Sequence, residues 1–103
     1  MRYLILDGML SGTGIRDAVE GGYLGHSQLE ISGELSARIH RWLAAYAESH
    51  YRQHADAEIV ANLDSEGIEL CKLLRQELPA DKIGYFSDAT MQTLEEPVRV
   101  GQK

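Results

Sequence analysis

Three groups of residues in this chain have types and spacings that could support chemistry. Glycines recur in the segment DGMLSGTGIRD, residues 7–17, directly after a short apolar run, and a glycine-rich turn after a strand can hold a phosphate. His50 and His54 are four residues apart, as in a helical zinc pair. The many carboxylates could contain a general acid and a general base. None of the three groups has the full pattern that its chemistry requires.

The glycine segment departs from both familiar phosphate-binding motifs. Gly8, Gly12 and Gly14 are not followed by lysine and a serine or threonine, as a P-loop requires. A dinucleotide fingerprint needs a third glycine three residues after the second, and Asp17 stands at that position after Gly14. The spacing therefore favours a conformational turn. A nucleotide- or phosphate-responsive module that uses Gly8 to Gly14 is the alternative interpretation.

The histidines and the cysteine favour structural roles. Tyr51 stands where the helical zinc motif has its glutamate, and no third ligand lies at a motif spacing. The sequence thus predicts no metal site, with His50 partly buried near a helix end and His54 solvated. Cys71 lies among leucines, where a buried free thiol is usual.

The carboxylates give no specific catalytic signal. The chain has 16 acidic residues, so chance pairs are expected and most of these side chains should lie on solvated faces. We therefore predict no catalytic residues, no cofactor and no enzymatic activity.

Length and composition favour one small soluble domain. The 103 residues, 44% of them hydrophobic, suit a single domain over residues 1–103. No apolar run is long enough to cross a membrane, and one cysteine cannot form an internal disulfide, so we expect a cytoplasmic protein. Ten basic against 16 acidic residues give a net charge of −6, which disfavours direct nucleic-acid binding and suits a basic partner.

Hydrophobic periodicity predicts two strands and two helices as the main elements. Residues 2–6 and 82–87 are short apolar runs typical of strands. Ser32 is a candidate N-cap for a helix over about 33–52. A second helix is expected from Asp64 or Ser65 until Pro79.

The remaining segments carry weaker signals. The long connection 8–32 suggests a helical turn near 15–20 and a strand near 28–31. Residues 90–94 suggest a helical turn, and 97–100 either an edge strand or a loose segment. Together the elements predict an α/β or α+β fold in which two amphipathic helices pack on one face of a small sheet. The relative direction of the two main strands stays open.

Five stretches together carry a resemblance to a family: RYLILDGMLSGTGIRD, GGYL, RWLAAYAESHY, LDSEGIEL and ELPADKIGYFSDA. They resemble the small immunity proteins of bacterial contact-dependent growth inhibition systems. The resemblance covers the chain to about Ala89 and implies a cytoplasmic protein that binds and neutralises the C-terminal domain of a cognate toxin, often a nuclease. It implies no catalytic residue in this sequence.

An acidic inhibitor of a basic nuclease site would gain attraction and a fast association rate from its charge. The connections are expected to carry the recognition residues. Tyrosine and arginine are favoured anchors, so Tyr23, Tyr51 and Arg16 are candidates. A phosphate-responsive enzyme and a structural or regulatory adaptor are the other classes. The residues predicted to bind the partner are Asp17, Glu20, Tyr23, Asp56, Glu58 and Asp64.

Overall fold

The computed structural model describes residues 1–101 and contains one mixed four-stranded sheet. Its strands are β1 (Tyr3–Leu6), β2 (Ile15–Asp17), β3 (Lys82–Ser87) and β4 (Gln92–Val98), in the order β2-β1-β3-β4. β1 and β3 are parallel, and β2 and β4 lie antiparallel to them at the two edges. The direction of the two main strands, which the sequence left open, is therefore parallel.

Two helices follow β2 and precede β3. They are α1 (Gly33–Tyr51) and α2 (Ala57–Glu77), and a short 3-10 turn, His26–Gln28, comes before them. Ser32 caps α1 by accepting a hydrogen bond from the backbone N–H of Leu35, as predicted. The fold is thus α+β, a small sheet with two helices, which confirms the predicted class. Neither helix among residues 1–101 combines length with enough apolar character to cross a membrane.

The core lies between the helices and one face of the sheet. Cross-strand pairs place Leu4 opposite Ile83, and Leu6 opposite both Tyr85 and Ile15, and all five side chains are 0% exposed. The helices contribute the apolar positions that the sequence predicted: Leu35, Ile39, Trp42, Tyr46, Leu70, Cys71, Leu74 and Leu78.

Four local predictions are wrong. Residues 15–20 begin with strand β2 instead of a helical turn, and 26–28 form a 3-10 turn where a strand was expected nearby. The predicted turn near 90–94 is the β3–β4 hairpin, with β4 starting at Gln92. α2 begins two turns earlier than predicted, because the Asp56 carboxylate caps it by accepting the N–H groups of Glu58 and Ile59.

The start of β1 is fastened to the start of β3 by an ion pair. The carboxylate of Asp81 accepts the backbone N–H of Arg2 at 2.9 Å, and Nη2 of the same arginine at 2.7 Å. Although burial acts in the opposite direction, these contacts hold the pKa of Asp81 below its usual value. The charged carboxylate therefore stabilises the fold.

We expect Asp81→Asn to lower the free energy of unfolding by about 1–2 kcal/mol at neutral pH, because hydrogen bonds to a charged acceptor are lost or weakened. A pKa lowered by folding contributes stability above the unfolded value, 3.8, and this contribution disappears as the pH falls through the folded value. Urea unfolding from pH 7 to pH 3 should show the difference from wild type shrinking below about pH 4. A difference that stays constant over this range would contradict the assignment.

Candidate functional site

Three connecting segments meet at the end of the sheet where β1 and β3 finish, which we call the carboxyl end. The chain leaves β1 through residues 7–13, α1 leads into α2 through residues 52–56, and β3 leads into β4 through residues 88–91. Because β1 and β3 are parallel, the first and third segments lie at the same end of the sheet. A hydrogen-bond contact of 3.1 Å between His50 Nε2 and the carbonyl of Gly8 joins the end of α1 to them. In sheets with parallel strands, the carboxyl end of the strands is a common place for binding sites.

The glycines of segment 7–17 serve packing. A Cβ at Gly8 would lie 2.5 Å from the Tyr46 ring, and one at Gly12 would lie 2.9 Å from the Tyr23 ring. Gly14 has a φ of +94°, which favours glycine. The loop also uses its own N–H groups, since Asp7 donates to the carbonyl of Gly14 and Gly12 to that of Met9. Ring contacts and turn geometry therefore explain the glycine spacing that raised the question of a phosphate cradle.

Tyr23, the predicted anchor, bonds to a buried carboxylate. Its hydroxyl donates to Asp7 Oδ1 at 2.7 Å, and Asp7 is 3% exposed. Arg16 Nε contacts Oδ2 of the same carboxylate at 3.1 Å. Burial and the hydrogen bond to Asp7 raise the pKa of Tyr23 well above its usual value. The hydroxyl thus fastens the 18–24 segment to the end of β1, and its ring is only partly available to a partner.

Asp64 is a core residue, which corrects its predicted place on a binding surface. It is 7% exposed because it lies in the third turn of α2 and faces the sheet. Its Oδ1 accepts the hydroxyls of Tyr85 at 2.6 Å and Tyr46 at 3.0 Å, and its Oδ2 accepts that of Ser87 at 2.7 Å. Burial raises the pKa of both tyrosines, so they remain neutral donors. We call these four residues the Asp64 network.

His50, His54 and Asp88 form a second cluster at the carboxyl end. Each offers one ligand atom, and these atoms all lie within 4.8 Å of one another. His50 Nε2 is 3.0 Å from Asp88 Oδ2, and the two histidine rings are 4.5 Å apart between centroids. The sequence found no third ligand because Asp88 is 34 residues beyond His54 and approaches only when β3 lies beside β1.

His54 differs from the solvated side chain that was predicted. Its backbone has a φ of +52°, which turns the chain back at the end of α1. Nδ1 of His54 is 2.7 Å from Ser49 Oγ, and burial together with the nearby His50 lowers the pKa of the ring. Its Nε2 is buried, and no side chain or backbone group within residues 1–101 hydrogen-bonds to it. An unpartnered buried nitrogen of this kind requires an explanation.

The other predicted partner-binding residues lie at two ends of the molecule. Asp17 pairs with Leu4 near the start of β1, and its carboxylate accepts the N–H groups of Val19 and Glu20, which lowers its pKa. Asp56 and Glu58 lie at the carboxyl end, exposed in the first turn of α2. Asp17 and Glu20 therefore cannot form one patch with Asp56 and Glu58.

The carboxyl end carries half of the net charge. Segments 7–13, 48–58 and 88–91 contain five acidic residues and one arginine, and Arg16 pairs with the buried Asp7, which leaves a net charge of −3 within a chain of net charge −6. The same end presents five of the exposed large apolar side chains: Met9, Leu10, Tyr51, Ile59 and Met91. We call these five residues, with Asp56 and Glu58, the edge surface. Asp56, Glu58 and Tyr51 were candidates for partner contact from the sequence, whereas grouping the other apolar members with them requires the topology.

Cys71 lies in the core, as predicted. It is 0% exposed, and burial raises the pKa of its thiol to about 11. The thiol is therefore protonated near neutral pH, and a nucleophilic thiolate is disfavoured.

Comparison with known proteins identifies no relative: no family model matches the chain, and no curated protein or solved structure shows significant similarity to it.

Proposed function

We propose that the protein is an inhibitor of the immunity type, which binds a basic toxin domain, in the first instance a nuclease, through the edge surface and covers its active site. The observation that carries the proposal is the coincidence of negative charge and exposed apolar side chains at the carboxyl end. Isolated exposed apolar residues are ordinary on protein surfaces, but a group of them with one sign of charge is typical of an interaction site.

The apolar and the acidic residues of the edge surface would have different roles in binding. Tyr51 is 75% exposed and Met91 is 69% exposed, so both can bury large areas on a partner, as interface anchors do. Asp56 and Glu58 lie at the same end of the molecule and would attract a positively charged cleft, which accelerates association. An inhibitor of this kind works by occupying the cleft and needs no reaction of its own.

A phosphate-responsive enzyme is the second class of function, and no contact described among residues 1–101 favours it. Two of the glycines on which this hypothesis rests, Gly8 and Gly12, pack against Tyr46 and Tyr23. The N–H groups of Asp7 and Gly12 already have partners in the same loop. An adaptor that binds another basic partner would use the same edge surface. The toxin and adaptor classes therefore differ in the partner and not in the site.

The immunity function requires a toxin-like gene beside this one. The test measures binding to the C-terminal domain that this neighbour encodes, by surface plasmon resonance at two salt concentrations. Tyr51→Ala should raise the dissociation rate by at least about tenfold, the effect of losing an anchor worth about 1.4 kcal/mol or more. Asp56→Ser combined with Glu58→Gln should slow association by roughly threefold or more at low salt, because serine keeps the helix cap while the charges are removed.

Matched controls lie at the opposite end of the molecule. Val19→Ala, at a residue 70% exposed, and Glu20→Gln combined with Glu30→Gln should leave both rates unchanged. If the neighbouring domain does not bind, or if co-expression of this protein does not restore growth to cells that make the toxin, the immunity function is wrong. If binding responds to Val19 and Glu20 instead, the edge surface is the wrong interface.

A further inference from the structure

We propose that His50, His54 and Asp88 form a binding site for one divalent first-row transition-metal ion of the zinc type. The site is independent of the toxin proposal, since it concerns side chains of the isolated chain. It also gives a role to an arrangement at the carboxyl end that the core and the edge surface leave unexplained.

The ligand atoms are separated by distances that suit one ion. Zinc binds histidine nitrogens and carboxylate oxygens at about 2.0–2.2 Å in tetrahedral geometry, so its ligands lie about 3.3–3.6 Å apart. Nε2 of His50 and Oδ2 of Asp88 are already 3.0 Å apart, and one ligand atom from each of the three residues lies within 4.8 Å of the other two. Side-chain adjustments of about 1 Å complete the tetrahedral spacing.

The unpartnered nitrogen of His54 also supports the site. Nδ1 is held by the hydroxyl of Ser49, a residue 5% exposed, so the tautomer with hydrogen on Nδ1 leaves a lone pair on Nε2. Metal-binding histidines commonly have their second nitrogen fixed in this way by an oxygen. Because Nε2 is buried and lacks a partner among residues 1–101, we assign it to the ion, which would remove the cost of burying a free acceptor.

The types of ligand indicate the class of ion. Two imidazoles and one carboxylate suit zinc and its neighbours in the first transition row, whereas magnesium and calcium prefer sites made of oxygen. Three protein ligands leave a fourth position for water. The side chains of His50 and Asp88 are 20% and 19% exposed, so water can reach that position. On metal binding, Nε2 of His50 exchanges its hydrogen-bond contacts to Asp88 and Gly8 for the ion, and the neutral ring carries its hydrogen on Nδ1.

The experiment is calorimetric titration of zinc chloride into the full chain without a histidine tag, together with the visible absorption of the cobalt(II) form. We expect one ion per chain, retained in an excess of magnesium. His54→Asn should weaken zinc binding by at least about tenfold, the lower range for disturbing a metal site. Asparagine is chosen because it tolerates the positive φ of residue 54. Asp88→Asn should have a similar effect and should change the cobalt spectrum.

His40→Asn is the matched control. His40 is exposed, and its ring lies 4.4 Å from that of His26, so it belongs to a second histidine pair. Both nitrogens of His26 have partners, namely Ser36 Oγ and the carbonyl of Thr13. Zinc affinity should therefore be unchanged in His40→Asn. The proposal is overturned if the wild-type chain takes up no zinc at millimolar concentration, or if His54→Asn, shown by circular dichroism to be folded, binds it as tightly as wild type.

Discussion

Asp64→Ala should lower the free energy of unfolding by about 3–5 kcal/mol, measured by urea unfolding at neutral pH. The substitution removes the acceptor of three hydroxyl groups, those of Tyr46, Tyr85 and Ser87. Both tyrosines are 0% exposed, so water cannot replace the lost partner without opening the core. Each donor left unsatisfied costs about 1–3 kcal/mol, and loss of the carboxylate also leaves a cavity.

Two comparisons separate the hydrogen-bond network from simple loss of volume. Asp64→Asn keeps the size and one acceptor oxygen, and Ser87 can accept from the new amide, so we expect about 1–3 kcal/mol. Asp56→Ala, at the exposed cap of the same helix, should cost only about 1 kcal/mol. If Asp64→Ala costs no more than Asp56→Ala, then Asp64 does not have the buried role that its contacts indicate.

The regular parts of the fold could be predicted because their signals are local. α1 has a serine cap and an apolar stripe that contains Leu35, Ile39, Trp42 and Tyr46, so its predicted bounds differ from the structure by only one residue. β1 and β3 are short apolar runs closed by turn residues or polar residues. In each case the residues that decide the structure lie within the element or next to it.

α2 and β4 were misplaced for different reasons. The first two turns of α2 contribute no buried residue before Leu63, and although Ile59, Val60 and Leu63 have helical spacing, these three apolar residues alone do not mark where the helix begins. β4 contains a proline and has no fully buried residue, and its position depends on pairing with β3 and on Arg75. That arginine contacts Glu95 Oε1 at 3.2 Å and the Glu96 carbonyl at 3.1 Å.

The candidate sites also combine features visible in the local sequence with features that depend on the fold. The i, i+4 spacing of His50 and His54 was visible in the sequence, whereas Asp88 joins them only through the parallel pairing of β1 and β3. Asp64 resembled a solvated helix-start residue because the sequence gives no sign of which face of α2 meets Tyr85. Its burial could have been suspected only from a helix that begins at Ala57, which places Asp64 on the same stripe as Gly67 and Cys71.

Gly67→Ala should destabilise the protein by about 1–3 kcal/mol, although alanine is the better helix former by about 1 kcal/mol. Gly67 lies in the interior of α2, and a Cβ there would overlap the Tyr85 ring and lie 2.6 Å from its hydroxyl oxygen. The ring cannot withdraw freely, since its hydroxyl donates to Asp64 and Trp42 packs nearby at 6.0 Å between ring centroids. Overpacking of a filled core costs about 1–3 kcal/mol, and a strained Tyr85–Asp64 bond adds to this.

A double-mutant cycle tests whether the clash with Tyr85 is the cause. In the background of Tyr85→Leu the ring is absent, so Gly67→Ala should become neutral or stabilising by up to about 1 kcal/mol, as helix propensity alone predicts. Gly33→Ala is the matched control, because nothing lies within 4 Å of its added Cβ at the start of α1, and its effect should stay within about 0.5 kcal/mol. Urea unfolding of the four chains of the cycle and of Gly33→Ala provides the measurement. If Gly67→Ala is stabilising in the wild-type background, α2 does not pack on β3 at the distance described.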